Sequence, residues 1–240
     1  MKTLVLFLFC VSFGLNTFSQ NISSQELLDK AIAYHDPNGA WKTFSGTLNI
    51  TMETHTNPNR DSEVYINIPK ETFQLITKRD TVTITYKQHK GTCIISESDS
   101  IRISNQTEKP KRSHCEMTTL FKNYYSYLYG LPMKLKDLGT ILDNKVEYKT
   151  FKNKNYLVLN VSYDAAVGSD IWCFYFNPNT YAMEIYQFFK TDEKGNIKPD
   201  SGEYILLTEE ATINAIKMPK IRAWYYNKDD KYLGTDILKQ

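Results

Sequence analysis

From Thr43 to Thr54 the chain alternates strictly, with Phe44, Gly46, Leu48, Ile50 and Met52 on one face and Ser45, Thr47, Asn49, Thr51 and Glu53 on the other. A period of two predicts a strand with one face in a core and the other in water. The pattern returns at Val64, Ile66 and Ile68 before Pro69, at Phe73 and Leu75, and at Val82, Ile84 and Tyr86. Short polar links at Lys78 to Thr81 and Gln88 to Gly91 make this block an antiparallel meander. Cys93 to Ser96 and Ile101 to Ser104 read as two further short strands, with Glu97-Ser98-Asp99-Ser100 as the turn between them. A second block covers Leu157 to Tyr163, Trp172 to Phe176 and Met183 to Phe189, and the strands Tyr204 to Thr208 and Ile221 to Tyr226 follow it.

Two segments carry a helical period instead. Ser23 and Glu26 have the spacing of a capping box, Ile22 and Leu27 that of a hydrophobic staple, and Leu27, Leu28, Ala31 and Ile32 form one apolar stripe. Asp36-Pro37-Asn38-Gly39 ends this helix in a type I turn. In the middle of the chain Met117, Leu120, Phe121, Tyr124, Tyr125 and Leu128 repeat at helical intervals and stop at Gly130 and Pro132. The order is helix, sheet, helix, sheet. Hairpins that are apolar on one face must stack on a partner sheet or curl around that face, and a meander this long tends to curl. The fold class predicted is α+β, mainly antiparallel β: a curved, half-open β-barrel with an N-terminal helix and a central helix on its concave side.

Met1 and Lys2 followed by the apolar run from Leu4 to Leu15 have the form of a secretory signal peptide, and Thr17-Phe18-Ser19 fits a cleavage site. Residues 1–19 are therefore expected to be removed, leaving one β-rich domain over 20–240 in the periplasm or outside the cell. The apolar run is shorter than the ~20 residues that span a bilayer, and no later segment is apolar enough, so the mature protein is read as not membrane-spanning. Phe7, Leu8 and Phe9 before Cys10 are too large for a lipoprotein acceptor site.

Charge removes another class of partner. With 29 Lys and Arg against 27 Asp and Glu, the net charge is +2, and no strong field exists to hold nucleic acid. Cys93, Cys115 and Cys173 follow the signal segment and allow at most one internal bridge. Cys93 and Cys115 flank a strand and a polar loop and are the candidate pair, although inert buried thiols are the more favoured reading. Cys173 reads as a core filler.

The four histidines, His35, His55, His89 and His114, fall in no metal-ligand spacing, and no metal or cofactor is expected. Gly168-Ser169-Asp170 lacks the strand-turn-helix setting of a nucleophilic serine, and neighbouring carboxylates such as Glu209-Glu210 would point to opposite faces of a strand. No catalytic residue is assigned; His35 and Asp36 are the one pair worth an activity control, with a turn or capping role favoured. His55, His89 and His114 read as solvated, and Lys109-Pro110-Lys111-Arg112 as a solvated basic loop, with an anionic lipid as the rival partner. Aromatic content is high, with Tyr 17, Phe 12 and Trp 3. Core packing explains most of it, but Tyr124, Tyr125, Tyr127 and Tyr129 on one helix also suit a pocket that meets acyl chains and water.

The run Phe174-Tyr175-Phe176-Asn177-Pro178-Asn179-Thr180-Tyr181-Ala182-Met183-Glu184-Ile185, then Asp192-Glu193-Lys194-Gly195-Asn196, then Met218-Pro219-Lys220 before Trp224-Tyr225-Tyr226, resembles the C-terminal half of the LolA-like superfamily of periplasmic lipoprotein carriers. Ala33-Tyr34-His35-Asp36-Pro37-Asn38-Gly39-Ala40-Trp41 is similar to an uncharacterised exported family of Gram-negative envelopes. The resemblance implies a half-open barrel closed by helices that holds a lipid or acyl chain in an apolar cavity. The expected function is a non-catalytic periplasmic binding protein for a lipid or other apolar ligand, in envelope lipid or lipoprotein handling. Leu48, Ile50, Val64, Ile66, Phe121, Tyr124, Leu128, Trp172 and Phe174 are the candidate cavity wall. The alternative is an envelope protein-interaction or structural module with a packed interior and a protein partner.

Overall fold

A computed structural model describes residues 22–105 and 110–239; the signal segment lies outside the described residues. Helix α1 covers Ser24–His35, and the Ser23 hydroxyl accepts from the Glu26 amide at its start. The Glu26 carboxylate pairs with Lys30, so only half of the expected box forms here. Four strands follow as a meander: β1 Ser45–Glu53, β2 Arg60–Asn67, β3 Thr72–Arg79 and β4 Val82–His89, with the short β5 Thr92–Ile94 at the edge. Lys90 and Gly91 both have positive φ, which the two-residue turn into β5 requires.

The segment expected to hold a turn and a strand is instead helix α2, Glu97–Ser104. The Ser96 hydroxyl accepts from the Asp99 amide, so Ser96-Glu97-Ser98-Asp99 is a helix start that looks like a polar turn. Helix α3, His114–Gly130, carries the complete capping box in Ser113 and Glu116. The second half of the chain adds β6 Thr140–Leu142, β7 Glu147–Phe151, β8 Lys154–Tyr163, β9 Ile171–Phe176, β10 Met183–Phe189, β11 Glu203–Ile213, β12 Ile216–Tyr226 and β13 Tyr232–Lys239. Strands β6, β7 and β13 were not anticipated from the alternation.

All pairings are antiparallel and build one open sheet in the order β5-β4-β3-β2-β1-β13-β12-β11-β10-β9-β8-β6, with β7 on β8. β13 is the seam. It pairs with β1 on one side and β12 on the other, which joins the two meanders. One core cluster contains Leu48, Val64 and Phe73 from one arm, Leu157 and Phe174 from the other, and Leu27, Ala31, Tyr125 and Leu128 from the helices. The 17-residue α3 touches β4 at one end and β9 at the other, strands too far apart in a flat sheet for one short helix to reach, so the expected curved trough forms, with α1 and α3 inside. A smaller cluster of Tyr156, Val158, Cys173, Tyr175 and Ile185 occupies the other face of the second arm. Cys173 is a buried free thiol there, while Cys93 and Cys115 form a disulfide with Cα atoms 5.6 Å apart. Among the described residues no helix is long and apolar enough to cross a membrane.

Candidate functional site: the trough beneath the central helix

Helix α3 lies across the trough from arm to arm. At its start His114 stacks on Tyr86 of β4 and Phe121 meets the same ring edge-on, with centroids 4.7 and 4.9 Å apart. At its far end Tyr127 meets Trp172 of β9 at 5.6 Å, and its hydroxyl bonds to that of Tyr163 on β8. His114 is thus half-buried aromatic packing, a role set by the arm above it that its polar sequence neighbours do not reveal. The disulfide fixes the first turn of α3 to β5.

Between α3 and the middle strands lies a cavity of about 410 Å³, lined by Met52, Arg60, Phe121, Tyr124, Tyr125, Trp224, Leu233 and Asp236 among others. Tyr124 and Leu120 are exposed at its mouth, whereas Tyr125 is buried. A second recess of about 570 Å³ lies along the other flank of α3, bounded by Tyr127, Tyr163, Trp172, Lys122 and Lys134. Both volumes fall in the range of sites for small ligands.

The floor beneath α3 is not uniformly apolar. Strand register aligns Arg60 with Met52, Met52 with Asp236, and Asp236 with Arg222, in one row across β2, β1, β13 and β12. Arg222 is 1 % exposed; its guanidinium sits 3.9 Å from the Tyr129 ring and donates from Nη1 to the Pro219 carbonyl at 2.9 Å. Asp236 accepts from the Trp224 indole at 3.3 Å. Burial pushes the Asp236 carboxyl up, and the two guanidiniums oppose that rise. Burial also raises the phenols of Tyr125, Tyr129 and Tyr186, so all three are neutral donors at neutral pH.

His35 and Asp36 are used by the fold. His35 is 1 % exposed, its Nδ1 lies 2.8 Å from the Lys217 carbonyl, and its Nε2 accepts from the Met183 amide at 2.9 Å. Those partners fix a neutral ring protonated at Nδ1. The Asp36 carboxylate accepts from the amides of Ala40 and Trp41. With both nitrogens and both oxygens engaged, the pair closes the end of α1 and has no arrangement for acid-base work.

Of the candidate wall, Phe121 and Tyr124 line the 410 Å³ cavity and Trp172 lines the other recess. Leu48, Ile50, Val64, Ile66, Leu128 and Phe174 are buried in the core cluster below and beside them. Arg60, Arg222 and Asp236 were missed. Ile216, Met218, Arg222 and Trp224 share one parity along β12, so a charged residue on the inward register was the available signal.

A family model describing a family of unknown function, DUF6503, matches residues 1–239. The chain belongs to that family. No curated protein matches it. Among solved structures it is similar to a LolA superfamily protein, NE2245 from Nitrosomonas europaea, with a TM-score of 0.54 and 9 % identity over 91 % of this chain and 92 % of that one. It is also similar to a DUF1329 family protein from Desulfovibrio piger, with a TM-score of 0.44 and 7 % identity over 90 % and 91 % of the two chains. The fold is LolA-like, as the sequence resemblance implied.

Proposed function

We propose that this protein is a non-catalytic binding protein of the bacterial envelope that holds a lipid or other apolar ligand in the trough beneath α3. The observation that supports the reading is the 410 Å³ cavity, walled by Phe121, Tyr125 and Trp224 and opened to solvent beside Tyr124. Aromatic walls remove an acyl chain from water at roughly 25 cal/mol per Å² of apolar surface, and a tyrosine at the mouth tolerates both phases. The LolA-like sheet supplies the concave side, and α3, tied to β5 by the disulfide, roofs it. Export through removal of residues 1–19 fits the Cys93–Cys115 bridge, because disulfides persist in oxidising compartments.

Native mass spectrometry of protein purified from its own envelope tests the reading directly. A co-purifying lipid mass, and uptake of a fluorescent fatty acid competed by unlabelled lipid, are expected. A clean apo mass together with no uptake would sink the proposal and favour the packed interaction module.

A further inference from the structure

The charged side chains that line the 410 Å³ cavity are Arg60, Asp236 and Glu203, one base against two acids. The two carboxylates are placed differently. Asp236 stands in register with Arg222, accepts from the Trp224 indole and feels both guanidiniums. Glu203 stands on β11, four strands from Arg60 in the order β2-β1-β13-β12-β11. Among the described residues its carboxylate has neither a hydrogen bond nor an ion pair, and Lys190, the countercharge it feels, lies beyond ion-pair distance.

A half-buried carboxylate without a partner is costly, because burial removes water and nothing replaces it. Burial pushes the Glu203 carboxyl up, and Lys190 opposes that rise only through space. A cation in the cavity would remove the cost. The neighbours of Glu203 suit one. Trp224 pairs with Ile205, the next inward position on β11, so Trp224 and Glu203 are diagonal neighbours on one face of the sheet. Tyr124 of α3 stacks on Trp224 with ring centroids 6.4 Å apart. An ammonium group is drawn both to a carboxylate and to the negative face of an aromatic ring, and this end of the cavity offers the two together.

We propose that this end of the cavity receives the ammonium head of a single-chain amphiphile bearing a primary amine, with Glu203 as its counterion and Trp224 and Tyr124 beside it. The inference rests on the binding reading above and names its ligand class. The tail lies along Phe121, Tyr125 and Leu233. An aliphatic alcohol of the same length fills the same walls and leaves Glu203 unpaired, and a carboxylate head would meet a like charge there. The head group therefore decides the affinity.

The test is isothermal titration calorimetry of the full mature protein at neutral pH with dodecylamine, dodecylphosphoethanolamine, dodecanol and dodecanoate, all below their aggregation concentrations. Dodecylamine is charged there, as a lysine is, and one charge-assisted contact should make it bind roughly tenfold tighter than dodecanol. A matching gain for dodecylphosphoethanolamine assigns the amine to a phospholipid head group, and a gain for dodecylamine alone assigns it to a simple long-chain amine. In Glu203→Gln the advantage of dodecylamine over dodecanol should fall toward one with dodecanol binding unchanged, far-UV circular dichroism confirming the fold. Lys190 is exposed and off the cavity wall, so Lys190→Gln keeps the test decisive if Glu203→Gln does not fold: removing the competing countercharge should raise the advantage. Equal binding of dodecylamine and dodecanol would overturn the head-group site and leave the apolar cavity standing. Tightest binding of dodecanoate would overturn the sign of the charge received, and no binding of any chain would overturn the cavity reading itself.

Discussion

The Cys93–Cys115 bridge should stabilise the protein by an amount that loop length sets, and the double variant Cys93→Ser/Cys115→Ser removes it. The two residues are 22 apart in sequence, and the loop they close contains α2. Closing a loop of that length in the unfolded chain removes about 11 cal/mol/K of entropy, or about 3 kcal/mol at 25 °C. The native contacts of α3 survive the change, because Tyr86, Tyr163 and Trp172 still hold it at both ends. For a domain of this size a loss of about 3 kcal/mol lowers Tm by roughly 6–12 °C. Urea unfolding followed by tryptophan fluorescence gives the loss directly. The reasoning also predicts that the oxidised wild type treated with reductant falls to the stability of the double variant. A loss below about 1 kcal/mol would refute it, since the bridge would then be constraining an already ordered segment.

Three further outcomes follow from buried contacts. His35→Ala strands the Met183 amide and the Lys217 carbonyl, each at about 1–3 kcal/mol, so a loss of about 2–6 kcal/mol is expected in denaturant unfolding. Burial lowers the His35 pKa from its ordinary 6.5, so its contribution is complete above that pH and is lost as pH falls below it toward the folded-state value. The slope from this one group approaches about 1.4 kcal/mol per pH unit, and an Ala variant lacking that slope between wild-type scans at pH 7 and pH 5 would show that His35 is its source. Gly130→Ala places a Cβ 2.6 Å from Cε2 of the buried Trp41, so overpacking of about 1–3 kcal/mol should appear as a lower thermal midpoint. Amino-terminal sequencing of exported protein should begin at Gln20; an intact Met1 on exported protein would contradict cleavage.

The local signals were legible because they are short-range. Alternation at 43–54 and 64–86 needs only neighbours on one strand, and caps such as Ser23 need only the next turn. Ser96 and Asp99 show where that reading slips: the same residues suit a turn or a helix start, and the packing of α2 against the β4 edge, where Asp99 accepts from the Thr85 amide, chooses the helix. β13 was invisible for another reason. Its inward positions are Gly234, Asp236 and Leu238, so a hydrophobicity pattern finds no buried face there.

The chain by itself determined the element types along most of its length, the one-sided apolar strands that compel a curved sheet, and the helix that must cover it. Only the tertiary structure decided which strand closes the gap between the meanders, that Cys93 meets Cys115, and that Arg60, Asp236 and Arg222 stand in one row beneath Tyr129. Those facts depend on which strands become neighbours across long separations, and pairing partners are set by the whole sheet and not by any window of sequence.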